Sequence, residues 1–306
     1  MRHPYVWLVC RLAARGEGTL DTRPVSERRA ASQTPPNPAP PGDLVLRDHQ
    51  VAVDGGTIRV RSYRPSGTEL LPAQLLLHGG SFWSGSIETV DPLARLYAER
   101  ARCVVVSVDY RLAPEHPWPA AVEDGYTALQ WLVTNAAELG VDPTRLGVGG
   151  VSVGGGMAAV VAMMARDRGG PRLRFQLLEI PVTDLTGSSE SMTTYASGYL
   201  CTRAALLEGY ALYVPDPAQR SMPYASPLLA PDLTGLPPAL VLTCEYDPLR
   251  DEGEALAARL REAGSPTELV RAKGHVHSST YTQRLRSARG YQHRTADALR
   301  AALHGS

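Results

Sequence analysis

The chain nearly lacks lysine: of its 31 basic side chains only Lys273 is one, and the rest are arginine. Schiff-base amine chemistry is thereby confined to a single position. Cysteine is sparse as well. Cys10, Cys103, Cys201 and Cys244 lie far apart with no C-x-x-C pair, so neither a zinc motif nor a disulfide framework is expected, and reduced thiols in a cytoplasmic protein are the simplest reading. Excess charge of either sign is missing too, since 31 acidic side chains balance the 31 basic ones. Such a surface has no field to draw nucleic acid or an anionic membrane, and neither is expected as a partner. Long apolar runs are absent: none approaches the roughly 18 residues of a membrane span. The run Tyr5 to Cys10 is ended by Arg11 too soon for a secretory signal.

Glycine (28) and proline (25) are abundant, and their placement divides the chain. A helical-looking segment, Tyr5 to Ala14, is followed by the tract Thr34-Pro-Pro-Asn-Pro-Ala-Pro-Pro-Gly42, which can be neither helix nor central strand and reads as a linker. Two alternating runs, Leu44 to Val53 and Thr57 to Tyr63, flank Asp54-Gly55-Gly56 and predict an antiparallel hairpin. Apolar strands then alternate with helical patterns. Ala73–Leu77, Cys103–Val108, Leu146–Val148, Phe175–Ile180, Ala239–Thr243 and Thr267–Val270 are the strands, and helices fall near Pro92–Arg102, Ala120–Glu138, Gly155–Arg166, Asp251–Ala263 and Gly290–Leu303. This rhythm predicts an α/β fold with a mostly parallel sheet covered on both faces. Residues 184 to 235 break it, with one helical stretch, Thr202–Tyr213, among Ser-, Pro- and Tyr-rich loops. They read as an insertion at the edge of the sheet where open α/β folds bind ligands.

Four stretches carry chemistry. Gly150-Val-Ser152-Val-Gly154 stands between an apolar strand and an apolar helix. A serine in so sharp a turn needs tiny residues two places before and after, which Gly150 and Gly154 supply. Upstream, a strand runs into His78-Gly79-Gly80-Ser81-Phe82-Trp83-Ser84-Gly85, where glycines let backbone N–H groups approach a substrate as an oxyanion hole requires. Val153, directly after the serine, offers a further N–H. Downstream, the strand from Ala239 ends in Asp247-Pro-Leu-Arg-Asp251-Glu252. Asp247 at the strand's end suits an acid that orients a histidine, while Asp251 and Glu252 suit the first turn of the next helix. The last strand leads to Gly274-His275-Val276-His277-Ser278. Two histidines two apart are compatible with metal ligation, but no third ligand is evident, and a general base is the simpler reading. Ser152, Asp247 and His277 follow one another in the order of an α/β-hydrolase triad.

Taken together, His78–Gly85, Asp109-Tyr-Arg-Leu-Ala-Pro-Glu-His-Pro-Trp-Pro-Ala-Ala121, Gly150–Gly155, Tyr224-Ala-Ser-Pro-Leu228, Glu245–Glu252 and Gly274–His277 give a chain that resembles the bacterial hormone-sensitive lipase family of esterases over nearly its whole length. The resemblance implies an α/β-hydrolase fold with a catalytic domain of residues 43–183 and 236–306, and a helical cap made from 1–42 and 184–235. It implies a carboxylesterase for short acyl esters, with Ser152 as nucleophile, Asp247 as orienting acid, His277 as base, and the N–H groups of Gly79, Gly80 and Val153 as oxyanion donors. No cofactor or metal is implied, and a homodimer is compatible. His277 is preferred to His275 because it matches the family motif and its spacing from the acid. Alternatives are an amidase or N-acetyl hydrolase, and a non-catalytic small-molecule-binding protein of the same fold.

Departures from the family pattern are specific. Val151 stands where the family usually has Asp, Ser81 replaces a third glycine, and Ser278 stands where glycine commonly follows the base. If the backbone needs positive φ at Ser81, strain follows. Val153, where the family usually has Ala, is expected to narrow the acyl pocket. Glu115 and His116 read as loop contacts, and Tyr195, Tyr199, Tyr210 and Tyr213 as cap packing. Glu179 is an acid in an apolar strand, and must find a donor there.

Overall fold

The computed structural model describes residues 4–13, 21–35 and 43–305. Two helices come first, α1 (Pro4–Ala13) and α2 (Val25–Ala31). Most of the proline tract lies outside the described residues. The hairpin is formed by β1 (Leu44–Val53) and β2 (Gly56–Pro65), with Gly55 at φ 76 in its turn. Then follow β3 (Leu71–Leu77), α3 (Ile87–Ala101), β4 (Val104–Asp109), α4 (Ala120–Thr134), α5 (Ala136–Leu139), β5 (Val141–Val151), α6 (Val153–Asp167) and β6 (Leu173–Glu179). The chain closes with α7 (Glu190–Thr194), α8 (Arg203–Tyr213), β7 (Ala239–Tyr246), α9 (Arg250–Glu262), β8 (Thr267–Val276) and α10 (Arg286–His304).

The eight strands form one sheet in the order β1-β2-β4-β3-β5-β6-β7-β8. β1 and β2 are antiparallel to their neighbours, and all pairs from β4 to β8 are parallel. Strands buried on both faces must be apolar throughout, and each face then needs a helical layer. Leu75 and Leu77 of β3 join the core under α4, α6 and α9, whereas Leu76 joins the core under α3 and α10. The alternation of one strand thus feeds two separate cores. α6 is buried from Val153 to Ala165, which accounts for its lack of a polar face. α3 starts at a capping box in which Ser86 Oγ accepts the Glu88 N–H at 3.2 Å and Thr89 Oγ1 accepts the Ser86 N–H at the same distance.

Some expectations are refined. The long helix after Ala120 breaks at Asn135 into α4 and α5. β8 runs on to Val276, so His275 lies in a strand rather than in a loop. α2 was not anticipated, for a physical reason: none of its residues is buried, and it carries no apolar stripe to read. It is held instead by ion pairs, Arg28 with Glu208 of α8 (2.7 Å) and Arg29 with Glu115 (2.7 Å), while Arg29 Nε also donates to the Trp83 carbonyl at 2.7 Å.

Candidate active site

Ser152 sits between β5 and α6 with φ 58 and ψ −121, a conformation that a side-chain-bearing residue adopts only where its surroundings impose it. A Cβ at Gly150 would lie 2.3 Å from the Gly154 carbonyl, and one at Gly154 would lie 2.2 Å from that of Leu77. These two glycines are therefore demanded by contact with backbone, as the sequence pattern required. The Ser152 N–H donates to the Glu179 carbonyl (2.8 Å), and the Ser152 carbonyl accepts the N–H groups of Gly155 (2.9 Å) and Val182 (3.1 Å).

β7 and β8 bring the other two polar groups to the same end of the sheet. His277 Nε2 is 3.1 Å from Ser152 Oγ, and its Nδ1 is 2.8 Å from Asp247 Oδ2. Asp247 Oδ1 accepts the Leu249 N–H at 2.9 Å. The acid is 1% exposed, whereas the serine and histidine retain 7% and 9%. The acid end is thus shielded and the hydroxyl end open. His275 is engaged elsewhere, with Nδ1 2.9 Å from Ser279 Oγ and Nε2 3.0 Å from Ser287 Oγ. Asp251 and Glu252 do lie in the first turn of α9, where Asp251 accepts the Ser191 N–H (2.8 Å) and Glu252 those of Thr183 and Asp184. Burial pushes the Glu252 carboxyl well above the usual range.

The loop after β3 curls against Ser152. Gly80 has φ 130, and its carbonyl accepts from the N–H groups of Trp83 (3.2 Å) and Ser84 (2.9 Å) and from Ser84 Oγ (2.9 Å). The side chain of His78 is fully buried, stacked on Tyr110 at 4.1 Å, with Nδ1 2.7 Å from the Gly79 carbonyl. Burial lowers its pKa, so the ring is neutral. Ser81 has φ 53 and Phe82 φ 67, so the strain expected of a serine at the third glycine position is present. Ser278 at φ 62 repeats it after His277.

A cavity of about 540 Å³ opens over these groups, with Gly79, Gly80, Ser81, Ser152 and His277 in its wall. Leu200, Cys201, Thr202, Ala205 and Leu206 come to it from the 184–235 interval, and Thr89, Val90, Pro92 and Leu93 from α3. Tyr281, Gln283 and Gln292 form a polar side that the sequence did not suggest. Val151 lines the cavity and Val153 does not, its side chain being wholly buried in the core around α6. The expectation that Val153 narrows the pocket is thus overturned, because the residue after the serine points into its own helix layer. The Val153 N–H remains one of the first amides of α6, which have no intrahelical acceptor. Tyr195, Tyr199 and Tyr246 pack on one another, Tyr213 stacks on Phe82, and Glu115 pairs with Arg29. His116 is exposed. Among the described residues no cluster of three or more His, Cys, Asp and Glu side chains could hold a metal ion, and no helix is long and apolar enough to cross a membrane.

Residues 74–280 match the family model described as the alpha/beta hydrolase fold. The chain is 44% identical to the carboxylesterase NlhH of Mycobacterium tuberculosis, covering 80% of this chain and 78% of that one. It is 40% identical to an arylesterase of Saccharolobus solfataricus, with 76% of each covered. The solved structure of a hyperthermophilic esterase from the archaeon Pyrobaculum calidifontis superposes with a TM-score of 0.89 at 38% identity, covering 98% of both chains. Sequence, fold and relatives agree: the chain belongs to the α/β-hydrolase family, as a carboxylic ester hydrolase of its bacterial hormone-sensitive lipase branch.

Proposed function

We propose that the chain hydrolyses small carboxylic esters through an acyl-enzyme on Ser152. The hydrogen-bonded series Asp247, His277, Ser152, whose last two members line the cavity, carries this reading. His277 Nε2 takes the proton of Ser152 Oγ as the oxygen attacks the ester carbonyl, and Asp247 keeps the Nδ1 proton in place and stabilises the imidazolium. The N–H groups of Gly79, Gly80 and Val153 receive the oxyanion, each such donor contributing about 3–4 kcal/mol in the transition state. The imidazolium then returns its proton to the departing alcohol, and water, activated by the same ring, hydrolyses the acyl-enzyme.

The 184–235 interval and residues 1–42 act as the cap in this reading. The former supplies Leu200, Cys201, Thr202, Ala205 and Leu206 to the cavity wall, and α2 is pinned to α8 and to the loop at Trp83. About 540 Å³ is room for an acyl group and an alcohol together. Ser152→Ala should abolish turnover of a short-chain p-nitrophenyl ester and covalent labelling by a fluorophosphonate. Retained turnover would remove Ser152 from the mechanism. Matched ester and amide substrates measure the preference between the two kinds of bond, and binding without turnover or labelling would point to a receptor instead.

A further inference from the structure

Glu179 ends β6 and is 1% exposed. It is the register partner of Val151, so both side chains leave the sheet on the face of α3 and α10. Its main chain touches Ser152 directly, through the Ser152 N–H bonded to the Glu179 carbonyl at 2.8 Å. Ile180, the next residue, has φ 43, a conformation a β-branched side chain rarely takes. Strained residues therefore stand on both sides of this one hydrogen bond, and the corner must be held by something else.

The side chain of Glu179 is placed to hold it. Its Oε1 accepts from the Tyr97 hydroxyl of α3, which is also 3.1 Å from Thr295 Oγ1 of α10. The Thr295 hydroxyl donates to the Gln292 carbonyl at 3.0 Å, and the Gln292 amide donates to the Thr280 carbonyl at 2.7 Å, three residues past His277. The Tyr281 hydroxyl bears on the same carboxyl from the 3-10 turn Ser279–Tyr281. Glu179 Oε2 and Tyr281 Oη are both buried, and neither has a hydrogen bond of good geometry. The titratable groups facing the carboxyl are Tyr97 from α3, Tyr281 from the turn and Cys244 from β7, with Cys103 behind Tyr97. Burial raises the pKa of all four, so they are neutral at working pH, and no basic side chain acts on the acid. Burial pushes Glu179 up to about 7.

We propose that Glu179 is a positioning residue for ester hydrolysis, acting as the neutral acid: its Oε2–H donates to Tyr281 Oη while Oε1 accepts from Tyr97, fixing the corner under Ser152 and the Tyr281 wall of the cavity. The proposal rests on Ser152 being the nucleophile. Loss of the proton removes the one donor the carboxyl has, and places a buried charge with no basic partner beneath the site. The sign follows. Activity falls as the pH rises through the Glu179 titration, because the neutral acid is the working form.

The test compares kcat/KM against pH for the wild type, Glu179→Gln and Glu179→Leu on a short-chain p-nitrophenyl ester. Rates are normalised to the fraction labelled by a fluorophosphonate. Gln keeps an acceptor for Tyr97 and an N–H for Tyr281 but has no proton to lose. The wild type should fall by about tenfold between about pH 7 and about pH 9, while Glu179→Gln holds its rate. Glu179→Leu should be about tenfold slower in kcat throughout, with Glu179→Gln restoring the rate at about pH 7. Coincident profiles for wild type and Gln overturn the proposal, as does a Gln variant no faster than Leu, or a Leu variant as fast as wild type. Should the Leu variant not fold, the Gln comparison decides alone. Absence of labelling in the wild type would instead defeat the assignment of Ser152.

Discussion

Asp247→Asn isolates the orienting role from the charge and the shape of the site. The side chain has two bonds to satisfy: Oδ1 accepts the Leu249 N–H at 2.9 Å, and Oδ2 meets His277 Nδ1 at 2.8 Å. A carboxylate accepts on both oxygens, but an amide has one acceptor. In this site 1% exposed to solvent, placing NH2 against the Leu249 N–H would oppose two donors and leave a main-chain donor buried and unpaired, at about 1–3 kcal/mol. The amide oxygen therefore stays on Leu249, and the NH2 turns to His277. Nδ1 must then accept, the ring proton moves to Nε2, and the nitrogen 3.1 Å from Ser152 Oγ can no longer take the serine proton. The wrong tautomer costs on the order of 10⁴ in kcat, or about 5–6 kcal/mol of transition-state stabilisation. The assay is kcat on a p-nitrophenyl acetate or butyrate, with thermal unfolding as the control, which should shift little because the amide is isosteric. Asp251→Asn, whose carboxylate accepts from Ser191 rather than from a histidine, should stay within about tenfold of wild type in kcat. An Asp247→Asn enzyme within about tenfold of wild type would refute the tautomer argument and with it the role given to Asp247.

Other substitutions separate the parts of the site. A Cβ at Gly209 of α8 would lie 2.7 Å from the Ser81 carbonyl and 3.2 Å from its Cβ. Gly209→Ala should therefore push on the loop carrying Gly79 and Gly80 and lower kcat about tenfold or more with little change in circular dichroism; unchanged kcat would show that the loop yields freely. Val151→Ala should broaden acyl-chain preference, because Val151 lines the cavity, whereas Val153→Ala should leave preference alone and cost about 2 kcal/mol in urea unfolding as a core truncation. An inverted result would place the pocket wall on the other side of Ser152. Arg29→Ala removes donors from the Trp83 and Ala113 carbonyls as well as the pair with Glu115, and should cost about 1–2 kcal/mol in the same assay. Arg294→Ala, whose pair with Glu268 is about half exposed on both sides, should cost less than about 1 kcal/mol.

What could be read from the sequence was whatever backbone geometry forces. Gly150 and Gly154 announce the turn because any Cβ there would meet a carbonyl, and Asp247 and His277 were legible as polar residues just beyond the ends of buried strands. The choice between the two histidines has a simple physical basis. β8 ends at Val276, so His275 is locked between two serine hydroxyls, and His277, followed by a left-handed Ser278, steps off the strand toward Ser152. What stayed hidden has no local period. α2 buries nothing, and Leu200, Cys201, Tyr281 and Gln283 reach the cavity only because separate segments pack together. Val153 was misjudged because adjacency to Ser152 in sequence says nothing of which layer a side chain enters. Backbone strain, by contrast, points to the site without any motif. Among the described residues, the side-chain-bearing positions with positive φ are Ser81, Phe82, Arg102, Ser152, Ile180, Leu200 and Ser278. Arg102 merely ends α3, whereas Ser81, Ser152, Leu200 and Ser278 line the cavity, Phe82 continues the Gly80 loop, and Ile180 follows Glu179. Each costs about 1–3 kcal/mol and persists only where its surroundings dictate it. Their concentration around one opening means that the fold holds this region against local preference, as a rigid site for attack on a carbonyl requires.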